Sequence, residues 1–518
     1  MQIISFSPFG YEGSLVTVEV DLRRGIPAVD IVGLADGAVK ESRERMRAAI
    51  CNSGFDFPMD RVLISLSPAD LKKEGAGFDL AVALAVLAAH QKIETDEPVL
   101  VMGELELSGS VRSVRGIHAA ASTAKAGGIM RCIVPSANGD EAREVTGMKV
   151  FAAETLADAF YALGKPELFT AGGLAGTCRD FCPDSCVETG GILFPAVNPE
   201  TEYAEVTGQP YLVRALQIAA AGGHNLLAYG PPGCGKTLAL QKFGGLLPLL
   251  TIEEAQPVTR IYSLAGLLSP SEPLLRIPPF RMPHQTATIE GMCGGGANCR
   301  PGEISLAHNG TLFLDEASEF RSSVLQMLRV PLESGRVTLS RAGRSTVYPA
   351  SFQLLLAANP CPCGNFGSAD KICLCSIRSI ELYWKKFSGP LLDRIDIRVK
   401  VDSAGRNKDG TPVPGVSTAK LREQIAAAVF MQRRRQGKWN AKLTASEIQE
   451  ICKIEPDARK MLDNAVNEYG LSSRASAACL KLARTIADMD SSSVIQKPHM
   501  EEAVGYRRTG GAIDMDAN

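Results

Sequence analysis

A chain of 518 residues exceeds what one hydrophobic core organises, and at roughly 100–200 residues per domain it calls for about three domains. A composition of 45% hydrophobic and 22% charged residues excludes a disordered or fibrous chain. A net charge of −2 excludes a uniformly basic nucleic-acid binder, while a local basic groove stays possible.

The first residues, "MQIISFSPFGYEG", lack the basic segment and long apolar run of a secretory signal. The longest apolar run, Leu80 to Ala89, is ten residues, short of the ~18 that suggest a membrane span. A cytoplasmic protein with no membrane partner is therefore expected. In such a setting the 14 Cys point to metal ligands before disulfides.

In chain order, residues 1–168 alternate strand and helix patterns. "LVTVEVDL" (Leu15–Leu22) and "RVLISLSP" read as strands. "GAVKESRERMRAAICNSGF" reads as an amphipathic helix closed by Gly54, and "DLAVALAVLAAH" as a buried helix. "PVLVMGELELSGSVR" reads as a hairpin, with "MRCIVPS" and "MKVFAAE" as further strands. Residues 169–200 are rich in Gly, Pro and Cys and read as a linker. Cys178, Cys182 and Cys186 stand there at spacings of four. They are unpaired linker thiols or part of a metal site whose fourth ligand the sequence does not supply.

Residues 201–400 carry the recognisable chemistry. The strand "NLLAY" runs into Gly230, Pro231, Pro232, Gly233, Cys234, Gly235, Lys236 and Thr237, followed by an apolar helical pattern. This is GxxxxGK[ST] in its strand–loop–helix context: backbone N–H groups converge on phosphates at a helix N-terminus. Lys236 reaches the β- and γ-phosphates, and the Thr237 hydroxyl ligates Mg²⁺. The strand "GTLFLDEASEF" ends in Asp315, placed to hold Mg²⁺ through water, and Glu316, placed to deprotonate the attacking water. ATP and Mg²⁺ are the expected cofactors. A third apolar strand, "SFQLLLAANP", ends in Asn359, whose amide would lie beside the γ-phosphate if the strands are neighbours.

"SGRVTLSRAGRSTVYPASF" reads as a hairpin with Arg341 and Arg344 at its tip, either tracking a phosphate backbone or serving solubility. Cys361, Cys363, Cys373 and Cys375 form CxC-x9-CxC: a closed tetrahedral Zn²⁺ site, or a reduced Cys-rich loop. Residues 401–518 read as a helical domain. Its Arg433, Arg434 and Arg435, near Trp439, are a solvated helix end or a phosphate contact.

These motifs together resemble the ComM/YifB group of magnesium-chelatase-like AAA+ ATPases. The likeness spans about residues 1–508 through "AAAGGHNLLAYGPPGCGKT", "RPGEISLAHNGTLFLDEASEF", "LAANPCPCG", "SGPLLDRIDI", "ARTIAD" and the N-terminal "VDIVGLADGAVKESRERMRAAI". It implies an α/β multidomain chain. The parts would be an α+β Lon-like (ribosomal protein S5 domain 2-like) domain, a P-loop AAA+ core and an α-helical lid. It casts Asn359 as sensor 1, Arg394 of "LLDRID" as an arginine finger for the next subunit, and Arg474 as the sensor 2 arginine of the lid, acting in cis or in trans. It also implies a homo-hexameric motor that drives branch migration of single-stranded or branched DNA, a helicase-type activity, in recombination during natural transformation. A chelatase-type metal-insertion ATPase and a protein remodeller are the alternatives. The Lon-like domain lacks a Ser in "KKEGAGFDL", so no protease is expected, and His118 of "VRGIHAA" is expected to be packed rather than catalytic. Two departures from the group are the Cys178/Cys182/Cys186 cluster and the pair Cys293 and Cys299 in "EGMCGGGANCRPGE".

Overall fold

A computed structural model describes residues 2–508, except 35–36, 70, 72, 74, 94–96, 172–185, 342–343, 368–370 and 403–412. Cys178 and Cys182 lie outside the described residues, as does the hairpin turn at Ala342 and Gly343.

The N-terminal region folds around an eight-stranded mixed sheet. Its order is Thr170–Ala171, Lys149–Ala153, Arg131–Pro135, Val99–Val101, Ile3–Ser7, Ser14–Arg23, Arg61–Ser67, Ala28–Val32. Side chains alternate across a sheet with period two. Ile3, Val16, Val18 and Val101 accordingly join one core with helices Gly37–Asn52, Asp79–Gln91 and Leu156–Leu163. Ile4, Phe6, Leu100 and Val134 join a second core with helix Ile117–Ala126. The expected hairpin after Pro98 is divided. Val99–Val101 enters the large sheet, and only Glu104–Leu105 pairs with Val111–Arg112.

Part of the expected linker is structured. Cys186–Thr189 and Ile192–Pro195 form a hairpin, and Phe194 is fully buried under the Arg422 guanidinium, 5.0 Å from the ring centre. One aromatic turned into the next domain's core outweighs the loop-like composition around it.

The central sheet is five-stranded and parallel, in the order Phe280–Arg281, Thr311–Leu314, Gln353–Ala358, Leu226–Tyr229, Ile397–Lys400. Thr311–Leu314, Gln353–Ala358 and Leu226–Tyr229 are buried throughout, as expected for strands covered on both faces. The C-terminal region is helical: Thr418–Arg435, Ala445–Ile451, Pro456–Tyr469, Ser473–Met489 and Lys497–Arg508. Buried Asp488 organises it, accepting from Arg435 at 2.8 Å and Arg484 at 3.1 Å. Arg435 is thus anchored by the Asp488 carboxylate, and Arg433 donates to the Leu249 carbonyl at 3.1 Å, while Arg434 and Arg435 are both exposed.

The N-terminal and central regions are joined by directed contacts. Arg260 donates to the carbonyls of Tyr11 (3.1 Å) and Glu12 (3.0 Å) and to Thr123 Oγ1 (2.9 Å), with its guanidinium 4.7 Å from the Tyr11 ring centre. His118 Nε2 meets Gln256 Oε1 at 2.8 Å, and the Gln256 amide donates to the Glu144 carbonyl at 3.0 Å, which fixes the imidazole as the donor. His118 is buried, as expected of a packed histidine.

Candidate nucleotide-binding site

The sheet order places the strand ending in Asn359 between the strand that feeds the P-loop and the strand that ends in Asp315. Three chain segments distant in sequence therefore deliver their polar ends to one sheet edge. They line a cleft of about 350 Å³ with Pro232, Gly233, Gly235, Lys236, Thr237, Asp315, Glu316 and Asn359. Gly233 and Gly235 have φ of 82° and 83°, a left-handed conformation that glycine adopts without strain. Gly230 is required for a different reason: a Cβ there would lie 1.9 Å from the Val401 carbonyl oxygen.

Lys236 Nζ donates to the Gly230 and Pro231 carbonyls, each at 2.7 Å. Thr237 Oγ1 donates to Asp315 Oδ1 at 3.0 Å. This places a hydroxyl and a carboxylate oxygen side by side, the hard donor pair that Mg²⁺ selects when it arrives with a nucleotide's phosphates. Glu316 follows the strand with φ of 47°, and its carboxylate accepts from the Gln285 amide. Gln285 was not legible in the sequence, since no motif surrounds it.

The two predicted arginines lie elsewhere. Neither Arg394 nor Arg474 lines the cleft of its own chain. Both donate to one carboxylate: Arg394 Nη2 to Glu333 Oε2, and Arg474 Nη2 to Glu333 Oε1 at 3.2 Å. Arg394, and after it Arg474, hold the exposed Glu333 below the usual carboxylate range. Glu333 lies in the last turn of a short helix, Arg329–Ser334, and a single acidic residue there carries no sequence signal.

The predicted hairpin is present as Arg336–Arg341 paired with Arg344–Pro349, with Arg341 opposite Arg344. Arg341 is exposed. The Arg344 guanidinium instead lies 3.7 Å from the centre of the Phe9 ring in the N-terminal region.

Among the described residues, one group of three or more His, Cys, Asp or Glu side chains converges closely enough to hold an ion: Cys361, Cys363, Cys373 and Cys375. Their ligand atoms all lie within 4.8 Å of one another. The Asn365 amide, and then the Cys361 thiol, lower the Cys363 thiol to about 6, while loss of solvation raises Cys373 to about 12. Cys293 and Cys299 are not part of this group; Cys299 is buried, and the Cys293 thiol points at Met327 sulfur, 2.8 Å away.

Comparison with known proteins matches the family description "Magnesium chelatase, subunit ChlI" over residues 202–408, "Subunit ChlI of Mg-chelatase" over 18–138, and "Magnesium chelatase, subunit ChlI C-terminal" over 415–507. The chain is 40% identical to the uncharacterized protein YifB of Escherichia coli over 504 residues, 96% of this chain and 95% of that protein. It is 38% identical to the competence protein ComM of Haemophilus influenzae over 510 residues, 98% and 97% of the two chains. The magnesium-chelatase 38 kDa subunit of Cereibacter sphaeroides is 24% identical over 174 residues, 30% of this chain and 52% of that subunit. With near-full-length identity to two of its members and a P-loop cleft built on a parallel sheet, the chain belongs to the ComM/YifB family of magnesium-chelatase-like AAA+ proteins.

Proposed function

We propose that this protein is a cytoplasmic, homo-hexameric ATPase that moves along single-stranded or branched DNA and drives branch migration during recombination in natural transformation. The observation that carries the proposal is the near-full-length likeness to the Haemophilus competence protein, joined to a cleft that gathers Lys236, Thr237, Asp315, Glu316 and Asn359. In this scheme the P-loop and Lys236 bind the phosphates, Thr237 and Asp315 hold Mg²⁺, Glu316 takes the proton of the attacking water, and Asn359 orients it. Because Arg394 and Arg474 share Glu333 outside their own cleft, both are assigned to the neighbouring subunit's nucleotide. Arg341, at the exposed end of the hairpin, is the candidate phosphate contact in a central pore; Arg344, packed on Phe9, is a lesser one.

A metal-insertion role is the second reading, favoured by the chelatase family matches. It is weakened by the short overlap with the chelatase subunit, which leaves most of this chain unaccounted for. Steady-state ATP turnover separates the two. Single-stranded or four-way-junction DNA should raise it, and the ATPase should dissolve a junction into its two duplexes. Turnover unaffected by any DNA but raised by a porphyrin-bearing partner complex would replace the DNA assignment with metal insertion; stimulation by an unfolded protein alone would make it a remodeller.

A further inference from the structure

The CxC pairs sit beside the nucleotide cleft, and their four sulfurs converge within 4.8 Å of one another. Sγ of Cys361 lies 3.3 Å from that of Cys363 and 3.7 Å from that of Cys373, and Cys363 and Cys373 are 3.6 Å apart. A disulfide would bring two sulfurs to about 2.05 Å. Four thiolates around Zn²⁺ at about 2.3 Å stand about 3.8 Å apart along each edge of the tetrahedron. The observed separations of 3.3 Å, 3.7 Å and 3.6 Å lie near the second arrangement and far from the first. The Phe366 amide donates to Cys361 Sγ at 3.3 Å, an N–H···S contact that offsets the charge of a metal-bound thiolate.

Chain adjacency and packing tie this cluster to the nucleotide site. Cys361 follows Asn359 by two residues. Gly364, with φ of 79°, lies so close to the P-loop that a Cβ there would sit 2.8 Å from Pro232 Cδ. Cys375 adjoins Ser376, which caps helix Ile377–Lys385, and that helix reaches behind the acidic residues: Tyr383 donates to Ser318 Oγ at 2.7 Å and Lys386 to the Ser318 carbonyl at 2.8 Å. Trp384 Nε1 closes the circuit on the Pro360 carbonyl at 2.9 Å.

We propose that Cys361, Cys363, Cys373 and Cys375 bind one structural Zn²⁺ that clamps the nucleotide site, holding Asn359, the P-loop at Pro232 and the loop after Glu316 in mutual register. Four sulfur ligands leave no open position, so the ion takes no part in hydrolysis. The clamp rests on the nucleotide reading given above; the metal site does not.

The test uses the full chain purified without chelator. Elemental analysis and colorimetric release after thiol modification should each find about one Zn²⁺ per chain. Co²⁺ exchanged into the site should give thiolate charge-transfer and tetrahedral ligand-field bands. The double variant Cys363→Ser, Cys375→Ser should lose the zinc and bind a fluorescent ATP analogue roughly tenfold more weakly. Should that variant fail to fold, stripping zinc from the wild-type chain with a membrane-permeant chelator, then restoring it, should lower and recover analogue affinity. Iron in place of zinc, or no metal, overturns the site. Zinc that can be removed without changing analogue affinity overturns the clamp. Zinc-loaded wild-type protein that binds no analogue overturns the ATPase reading and the clamp together, leaving the metal content to decide the site alone.

Discussion

Thr237 and Asp315 stand 3.0 Å apart although 77 residues separate them, because each ends its approach to the same sheet edge. Glu316 differs from its neighbour: the chain turns left-handed there, and the carboxylate leaves Asp315 to meet Gln285. In the proposed hydrolysis the two acids therefore take separate tasks. Glu316→Gln should leave affinity for a fluorescent ATP analogue unchanged and slow turnover by about 10²–10⁴-fold, the usual worth of a general base. A matching loss of nucleotide affinity would show that Glu316 binds rather than activates. Lys236→Ala should abolish analogue binding, since that ammonium is the cleft's one lysine among the described lining residues. Glu333 is informative in the opposite sense. It belongs to no motif, yet it joins an arginine of the core to an arginine of the lid, a pairing that only the folded chain reveals.

The contact between helix Ile117–Ala126 and helix Ile252–Ala265 sets a pH limit on the fold. Burial pushes the His118 imidazole down to about 4, and its Nδ1 is buried without a partner, so a proton there would add an unsatisfied charge. Burial also lowers His308 to about 4, and its Nδ1 accepts from the Ser351 amide at 3.0 Å, which a proton would break. Both folded values lie below the unfolded value of ~6.5. The unfolded chain therefore binds more protons, and stability is full above pH ~6.5 and lost as pH falls towards 4. Denaturant midpoints measured across that range should fall for the wild type and fall less for His118→Gln. At the same contact, Arg260→Ala should cost on the order of 2–4 kcal/mol, because three charge-assisted hydrogen bonds leave together. Urea unfolding reads this directly. These elements differed in how much of them the sequence displayed. Helix Gly37–Asn52 and strand Ser14–Arg23 announced themselves by period, and the P-loop by glycine spacing. Strand Ile3–Ser7, buried at every position, offers no alternation to detect, and edge strand Ala28–Val32 has little burial to signal it. The hairpin at 186–195 was hidden by glycines and cysteines, and Arg344 by a partner more than 330 residues away, Phe9.

At the scale of the whole molecule, the placing of Arg394 and Arg474 outside their own cleft predicts that one chain is incomplete. Arg394→Ala should lower turnover by about 10³–10⁵-fold, the worth of an arginine finger in well-studied nucleotide hydrolases. Mixed with equally inactive Lys236→Ala, it should regain activity at interfaces that pair an intact P-loop with an intact finger. Specific activity should also rise with protein concentration. A dilute monomer, confirmed by light scattering, that hydrolyses ATP at the full rate would refute the shared site. The grip of the N-terminal region on the hairpin has a mechanical meaning for such an assembly. Gly10 fits so closely against Thr346 that a Cβ would lie 2.2 Å from its hydroxyl oxygen; Tyr11 packs edge-on to Tyr348 at 5.7 Å, and Phe9 carries Arg344. The hairpin is thus clasped along one strand rather than cantilevered from the core. If the chain works as the motor proposed above, force on the hairpin would be passed into the N-terminal region through residues 9–11, as torque on a lever is passed to its bearing.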